Sequence, residues 1–345
     1  MENKVQKTAL ICPLNWGLGH ATRDIPIIQQ FLQNNYKVII GADKAPLKLL
    51  QSEFPELDYI KIPFPEIKYP QDRNMVFKMM ISSPKLLLGI IKEHFLLKKI
   101  IKKHQIDVVV SDNRYGLWNK NIRSIFITHQ LEIQTPRKLY FLKSFINKIN
   151  KINRWFINRY DECWVPDFEE EPNVAGQLSH PEKVLQNIRY IGILSRFKEL
   201  KIKTIQTDYE LLVILSGPEP QRSIFQQILE KQIFESGKKA LFVLGKPEKT
   251  IKYSKKNIDY VNHLPAKQLA AYIKSIPIVI SRSGYSSIMD YLALKKTAIL
   301  VPTPGQTEQE YLAKYLHKKS RFYTVNQDDF NLQIAIKELS TFRID

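Results

Sequence analysis

Apolar positions along the chain fall into short β-branched runs, each closed by a polar or glycine-containing turn and most of them followed by a stretch whose apolar residues recur at three and four. Thr8–Leu14, Lys37–Ala42, Tyr59–Ile62, Asp107–Ser111, Ser124–Thr128, Glu162–Pro166 and Ile188–Leu194 read as strands. Ile25, Ile28 and Leu32 give the first helical face, and a second helix runs through Leu50. A new series begins at Leu211–Leu215 and continues through Ala240–Leu244, Asp259–Asn262, Ile278–Ile280, Ala298–Val301 and Arg321–Val325. Residues 198–208 are polar and aperiodic, so the linker is placed there. Alternating strand and helix patterns predict parallel sheets, and two such series predict an α/β chain of two Rossmann-like domains facing across a cleft. The expected boundaries are 1–198, 209–330 and a tail helix over 331–345.

The densest chemistry lies at Pro277–Tyr311. The run Ile278–Ile280 stops at Ser281-Arg282-Ser283-Gly284, and a helical pattern follows with Ile288, Tyr291 and Leu292 on one face. Such a turn leaves free backbone N–H groups at the positive end of a helix, and Gly284 with Ser286 and Ser287 lets a phosphate approach. Asp290 follows Ser286 by one helical turn, where a carboxylate can accept two ribose hydroxyls. The next run ends in Pro302-Thr303-Pro304-Gly305, followed by Gln306, Glu308, Gln309 and Glu310, side chains suited to a polyhydroxylated ligand. A lone strand-glycine-helix turn is common in α/β proteins, so the turn without its neighbours carries little weight.

A second such unit opens the chain. Thr8–Leu14 leads into Gly17-Leu18-Gly19-His20, without the third glycine and distal acid of a dinucleotide site and without the lysine of an ATP-binding loop. His20 stands at a helix N-terminus, which disfavours the imidazolium and suits a base; a histidine that only caps the turn fits the same pattern. Ligands of parallel sheets sit beyond the carboxyl ends of the strands, so Asp112-Asn113-Arg114 and His129-Gln130 are expected beside His20. Ser216-Gly217-Pro218 forms a further glycine loop before a helix.

Charge adds a third feature. The net charge is +18, and residues 73–160 hold 18 Lys or Arg against four acids. Within that span Met75–Lys103 and Arg137–Arg159 are amphipathic, with Lys78, Lys85, Lys92, Lys98, Lys99, Lys102 and Lys103 on the first and seven basic residues and no acid on the second. One such helix is usually a core helix with a solvated face. Two in one domain favour an anionic membrane surface. Nucleic acid has no motif in its favour beyond charge. Cys12 and Cys163 offer neither a disulfide framework nor a metal spacing, no metal motif or cofactor loop is present, and no run reaches the ~18 apolar residues of a membrane span. Together with the lack of a signal peptide at Ala9–Leu14, this places the expected location in the cytoplasm.

Ser283, Gly284, Asp290 and Gln309, with the GLGH loop, resemble the GT-B glycosyltransferases, above all the N-acetylglucosaminyltransferases that make the lipid-linked disaccharide of peptidoglycan. Asp290 replaces that family's usual Glu, and Glu310 stands where a second Gln would be. Gly192 and Arg196 match its G-x-x-x-R segment, whose arginine lies near the donor diphosphate, and His263-Leu264-Pro265 matches the turn near the donor base. The resemblance implies the GT-B fold, a UDP-sugar donor in the C-terminal domain, a lipid-linked or membrane-presented acceptor in the N-terminal one, His20 as base, inversion, no metal, and a peripheral place on the inner membrane face. Two other classes stay open: GLGHATR also resembles a nucleotide-sugar hydrolase of nonulosonic acid synthesis, and a non-catalytic basic binder would need the charge alone.

Overall fold

The structure, a computed structural model, describes residues 6–65, 75–133, 143–183, 185–246, 252–319 and 321–342, with the side chains of 75–83 left aside. Residues 137–142 of the second amphipathic segment and the last three residues of the expected tail lie outside the described residues. The chain divides into two compact units: the first ends at Leu194, and the second takes Ser195 onward together with residues 75–78 among the described ones.

In the first unit seven strands form one parallel sheet. They are β1 (Thr8–Pro13), β2 (Lys37–Ala42), β3 (Asp58–Lys61), β4 (Val108–Asp112), β5 (Arg123–Ile127), β6 (Glu162–Val165) and β7 (Ile188–Tyr190), in the order β3-β2-β1-β4-β5-β6-β7. The central strands are buried along their length, which is why they read as continuous apolar runs and not as alternating ones. Around the sheet lie α1 (Gly19–Gln33), α2 (Lys44–Glu53), α3 (Met75–His104) and α4 (Lys143–Ile157). Leu97 and Ile100 of α3 are buried with Leu10, Ile39 and Val109, each contributing about 1.5–3 kcal/mol of apolar burial. Ile157 closes a second cluster with Phe126, Tyr160 and Cys163. The order reverses between β1 and β4, so the carboxyl ends of these two strands make the crevice where such sheets bind ligands.

The second unit repeats the plan with β8 (Leu211–Ile214), β9 (Ala240–Val243), β10 (Lys252–Lys255), β11 (Ile258–Val261), β12 (Ile278–Ser281), β13 (Ile299–Leu300) and β14 (Tyr323–Thr324), ordered β10-β11-β9-β8-β12-β13-β14. All pairings are parallel except β10 against β11. The helices are α5 (Gln221–Ser236), α6 (Ala266–Ser275), α7 (Tyr285–Ala293), α8 (Thr307–Lys318) and α9 (Leu332–Leu339). The core joins Val213, Phe225, Phe242 and Ile280 to Leu332 and Leu339 of α9. Here the order reverses between β8 and β12, which aims attention at the Gly217 loop and the Ser283–Gly284 turn. Strand β10 has no counterpart among the strands read from the sequence. Its four residues are all exposed and polar or amphipathic, so no apolar alternation marks it; only the ladder to β11 does.

Candidate active site

Gly17, in the left-handed region at φ 90°, lets the chain leave β1 and enter α1 with His20 as the second helical residue. Asp112 is the last residue of β4, next to the end of β1, and is fully buried. His20 Nδ1 lies 3.0 Å from Asp112 Oδ1. Arg23, one helical turn after His20, donates from Nε to Asp112 Oδ2 at 2.7 Å and from Nη2 to Asp112 Oδ1. Its Nη1 is 3.1 Å from His129 Nδ1, just beyond β5. A guanidinium only donates, so His129 accepts at Nδ1 and carries its proton on Nε2. Burial alone would raise the Asp112 carboxyl, but the Arg23 guanidinium and His20 outweigh it and hold the group well below the usual range.

The turn after β4 does not deliver all three expected residues to this cluster. Asn113 takes the left-handed conformation at φ 55° and gives its N–H to Ile127. Arg114 then enters the core, fully buried, where it donates to Glu93 Oε1 at 2.6 Å and to the carbonyls of Ile62 and Gly41. The reading of Arg114 as a ligand-facing residue is therefore corrected: it pairs with the one acid of α3. Arg23 is the residue sequence reasoning passed over, although the spacing of three from His20 put both on one helical face.

The loop after His129 is held from the inner side of α4. Asn150 accepts from Ile133 N–H at 2.9 Å and donates to Ile133 O at 3.1 Å, while Asn153 donates to the carbonyls of Gln130 and Leu131. Both asparagines are buried, so each satisfies backbone groups that would otherwise be lost to water.

In the second unit the turn between β12 and α7 is open above Gly284: a Cβ placed there would meet nothing within 4 Å. The first-turn N–H groups of Tyr285, Ser286 and Ser287 begin the nine-residue helix. Asp290, in the same helix, accepts from Ser195 Oγ at 2.6 Å and lies 3.6 Å from Arg196 Nε. Burial raises its carboxyl, with Arg196 and Ser195 partly offsetting the rise. Arg196 stacks over Phe197 at 4.9 Å, and its Nε has no hydrogen-bond partner among the described residues. His263 belongs to the same neighbourhood; burial and then the charge of Arg196 lower its pKa. Gly217, at φ 91°, faces Thr303 Oγ1 of the Pro-Gly loop.

Gln309 and Glu310 brace that loop. Gln309 Oε1 accepts from Thr303 N–H and Glu310 Oε1 from Gly305 N–H, both at 2.9 Å, while Ser283 Oγ donates to Gln309 O at 3.0 Å. Arg282 supports the same loop from beneath. It is fully buried, donates to the carbonyls of Val301, Pro302 and Gln221 and to Gln327 Oε1, and lies 4.1 Å over the Phe225 ring. Burial lowers its pKa to about 9.

Residues 211–343 match the glycosyltransferase family 28 C-terminal domain. An uncharacterized glycosyltransferase of Methanosarcina acetivorans is 24% identical over 313 residues, covering 85% of this chain and 79% of that protein. The UDP-N-acetylglucosamine–N-acetylmuramyl-(pentapeptide) pyrophosphoryl-undecaprenol N-acetylglucosamine transferase of Buchnera aphidicola is 26% identical over 341 residues, covering 94% and 86%. The crystal structure of the kitacinnamycin glycotransferase superposes with a TM-score of 0.64 at 13% identity, covering 97% of this chain and 91% of that one. The fold is the two-domain α/β fold of GT-B glycosyltransferases, and the chain is a glycosyltransferase. Within that class it resembles the peptidoglycan lipid-intermediate N-acetylglucosaminyltransferases, with a family 28 type C-terminal unit.

Proposed function

We propose that this glycosyltransferase moves a hexose or N-acetylhexosamine from a UDP-sugar to a hydroxyl of a lipid-linked or membrane-presented acceptor. The observation that carries the chemistry is the 3.0 Å contact between His20 Nδ1 and Asp112 Oδ1. With its proton on Nδ1, His20 donates to the carboxylate, and the lone pair of Nε2 is left for the acceptor hydroxyl. The hydroxyl proton passes to Nε2 as its oxygen bonds to the anomeric carbon. The bond from that carbon to the nucleoside diphosphate breaks, and the electron pair leaves on a phosphate oxygen.

That growing negative charge is best met in the second unit. The open turn at Gly284 offers N–H groups at a helix N-terminus, and Arg196 offers a guanidinium held 3.6 Å from the Asp290 carboxylate. Asp290 orients Arg196 and supplies acceptors for ribose hydroxyls. Gln309 and Glu310 shape the Pro-Gly loop that receives the sugar. Gly17, Gly19 and Asn113 belong to the acceptor side in the first unit, and Gly217, Ser286 and His263 to the donor side in the second.

The acceptor's membrane setting rests on the outer faces of α3 and α4. Leu87, Leu88, Ile91 and Phe95 are exposed on α3, with Phe95 at 60%, and Phe145, Ile152 and Trp155 on α4. Cations accompany them: Lys98 lies 5.4 Å over the Phe95 ring, and Arg159 lies 4.1 Å over Trp155. Apolar side chains flanked by cations suit an interface of acyl chains and anionic headgroups. No helix among the described residues is long and apolar enough to cross a membrane. The enzyme would then act at the inner face as a peripheral protein.

The test is a donor panel of UDP-sugars incubated with a polyprenyl diphosphate-sugar in anionic vesicles. Sugar-extended lipid is the expected product. Release of UDP and free sugar at the same rate with and without acceptor would replace this reading with hydrolysis.

A further inference from the structure

Asp24 follows Arg23 on α1 and lies one helical turn beyond His20. Its side chain is 0% exposed, and no N–H or O–H group of the described residues reaches either carboxyl oxygen. Asp112 of β4 lies against it at carboxyl–carboxyl hydrogen-bonding range. The other groups facing it are Arg23 on its own helix and the Cys12 thiol of β1. His20 and His129 complete the surroundings through their contacts with Asp112 and Arg23.

Two carboxylates in this position cannot both be charged. Asp112 already has donors for each oxygen from Arg23 and a further one from His20, and one guanidinium balances one carboxylate. Asp24 has no such donors, and a buried carboxylate without them costs far more than a neutral acid. Burial and then the Asp112 charge push the Asp24 carboxyl well above its ordinary range, with Arg23 offsetting only part. Cys12 adds no charge, because burial pushes its thiol up to about 12.

We propose that Asp24 is held as a neutral carboxylic acid whose O–H donates to Asp112, and that it acts as a positioning residue for His20. The fourth hydrogen bond fixes the Asp112 carboxylate from behind, and that carboxylate in turn holds the Nδ1–H tautomer of His20 against the competing Arg23 N–H. Arg23 stays paired with Asp112 because no second anion draws it away. The catalytic part of this inference rests on the reading of His20 as base; the protonation state does not.

Infrared difference spectroscopy on the full chain at neutral pH reads the state directly. The expected result is a protonated-carboxyl C=O band that shifts in deuterium oxide and is missing from Asp24→Asn. Wild-type protein without such a band overturns the proposal, whether or not any variant folds. In turnover, Asp24→Asn, which keeps a donor towards Asp112, is expected to recover most of what Asp24→Ala loses. That loss should reach roughly 100-fold, the scale set by misplacing a catalytic group, with the KM for donor unchanged. An Asn variant as slow as the Ala variant overturns the positioning role. Full activity of His20→Ala would remove the base reading and leave the infrared result standing by itself.

Discussion

His20 Nδ1 lies 3.0 Å from Asp112 Oδ1 and also 3.0 Å from Arg23 Nη2, so one nitrogen faces an acceptor and a donor at the same distance. If Nδ1 holds the proton, it gives it to the carboxylate and Nε2 is a base. If Nδ1 is bare, it accepts from Arg23 and Nε2 carries the proton, which disables it. The charge-assisted bond to a buried carboxylate favours the first arrangement.

Removing the imidazole should therefore lower turnover without touching the donor. His20→Ala is expected to reduce kcat by about 100-fold or more, the usual range for a general base, while UDP affinity measured by calorimetry stays the same. Asp112→Asn should lower kcat as well, because an amide oriented towards Arg23 no longer selects the Nδ1–H tautomer. Normal turnover in His20→Ala would return His20 to the role of a turn cap.

Asp112 also ties the fold to pH. Its folded pKa is depressed, so its stabilising contribution is present above the unfolded carboxylate range near ~4 and is lost as pH falls towards the folded value. Breaking its pair with the buried Arg23 should cost about 3–5 kcal/mol at neutral pH. Urea unfolding of wild type and Asp112→Asn should differ most at neutral pH and converge below pH ~4. A difference that is constant with pH would mean that the charge on Asp112 is not what stabilises the unit.

Nucleotide binding is expected to depend on Asp290 and on the residue that holds it. Asp290→Ala should weaken UDP by about 1–3 kcal/mol through lost hydrogen bonds. Ser195→Ala should produce a smaller loss, since it leaves Asp290 Oδ1 without the hydroxyl that orients it. Calorimetry separates the two. Equal UDP affinity in wild type and Asp290→Ala would remove Asp290 from the donor site.

Attachment to anionic vesicles should combine charge with apolar contact. Each cation near the surface contributes about 1 kcal/mol, so changing Lys98, Lys99, Lys102 and Lys103 to Gln should release most of the protein in co-sedimentation. Phe95→Ser with Trp155→Ser should weaken binding that persists at high salt, where screening leaves the apolar part. Equal sedimentation with neutral vesicles would show that the basic faces are solvated surfaces and nothing more.

The α/β class was legible because parallel strands buried on both faces leave continuous apolar runs, and β1, β2, β4, β8 and β12 all do so. The glycine turns at Gly17, Gly217 and Gly284 were legible for the same local reason: they punctuate those runs. The concentration of positive charge in residues 73–160 and the amphipathic spacing of α3 and α4 are likewise local properties of the chain. Strand β10 stayed hidden, since an exposed edge strand needs no apolar residue and exists only through its partner. Which polar side chains meet is set by the packing of elements far apart in the chain. Asp112 and Arg114 are two residues apart, yet the left-handed Asn113 between them sends one to His20 and the other to Glu93 in the core. Arg23 shows only its place on the His20 face, since its carboxylate partner lies 89 residues away; Ser195 has its partner 95 residues away, and Asp24 is visible only as an unpaired buried acid. Periodicity records the solvent on each side of an element, whereas the pairing of charges depends on how turns and sheet order fold distant strand ends together, and no local pattern carries that.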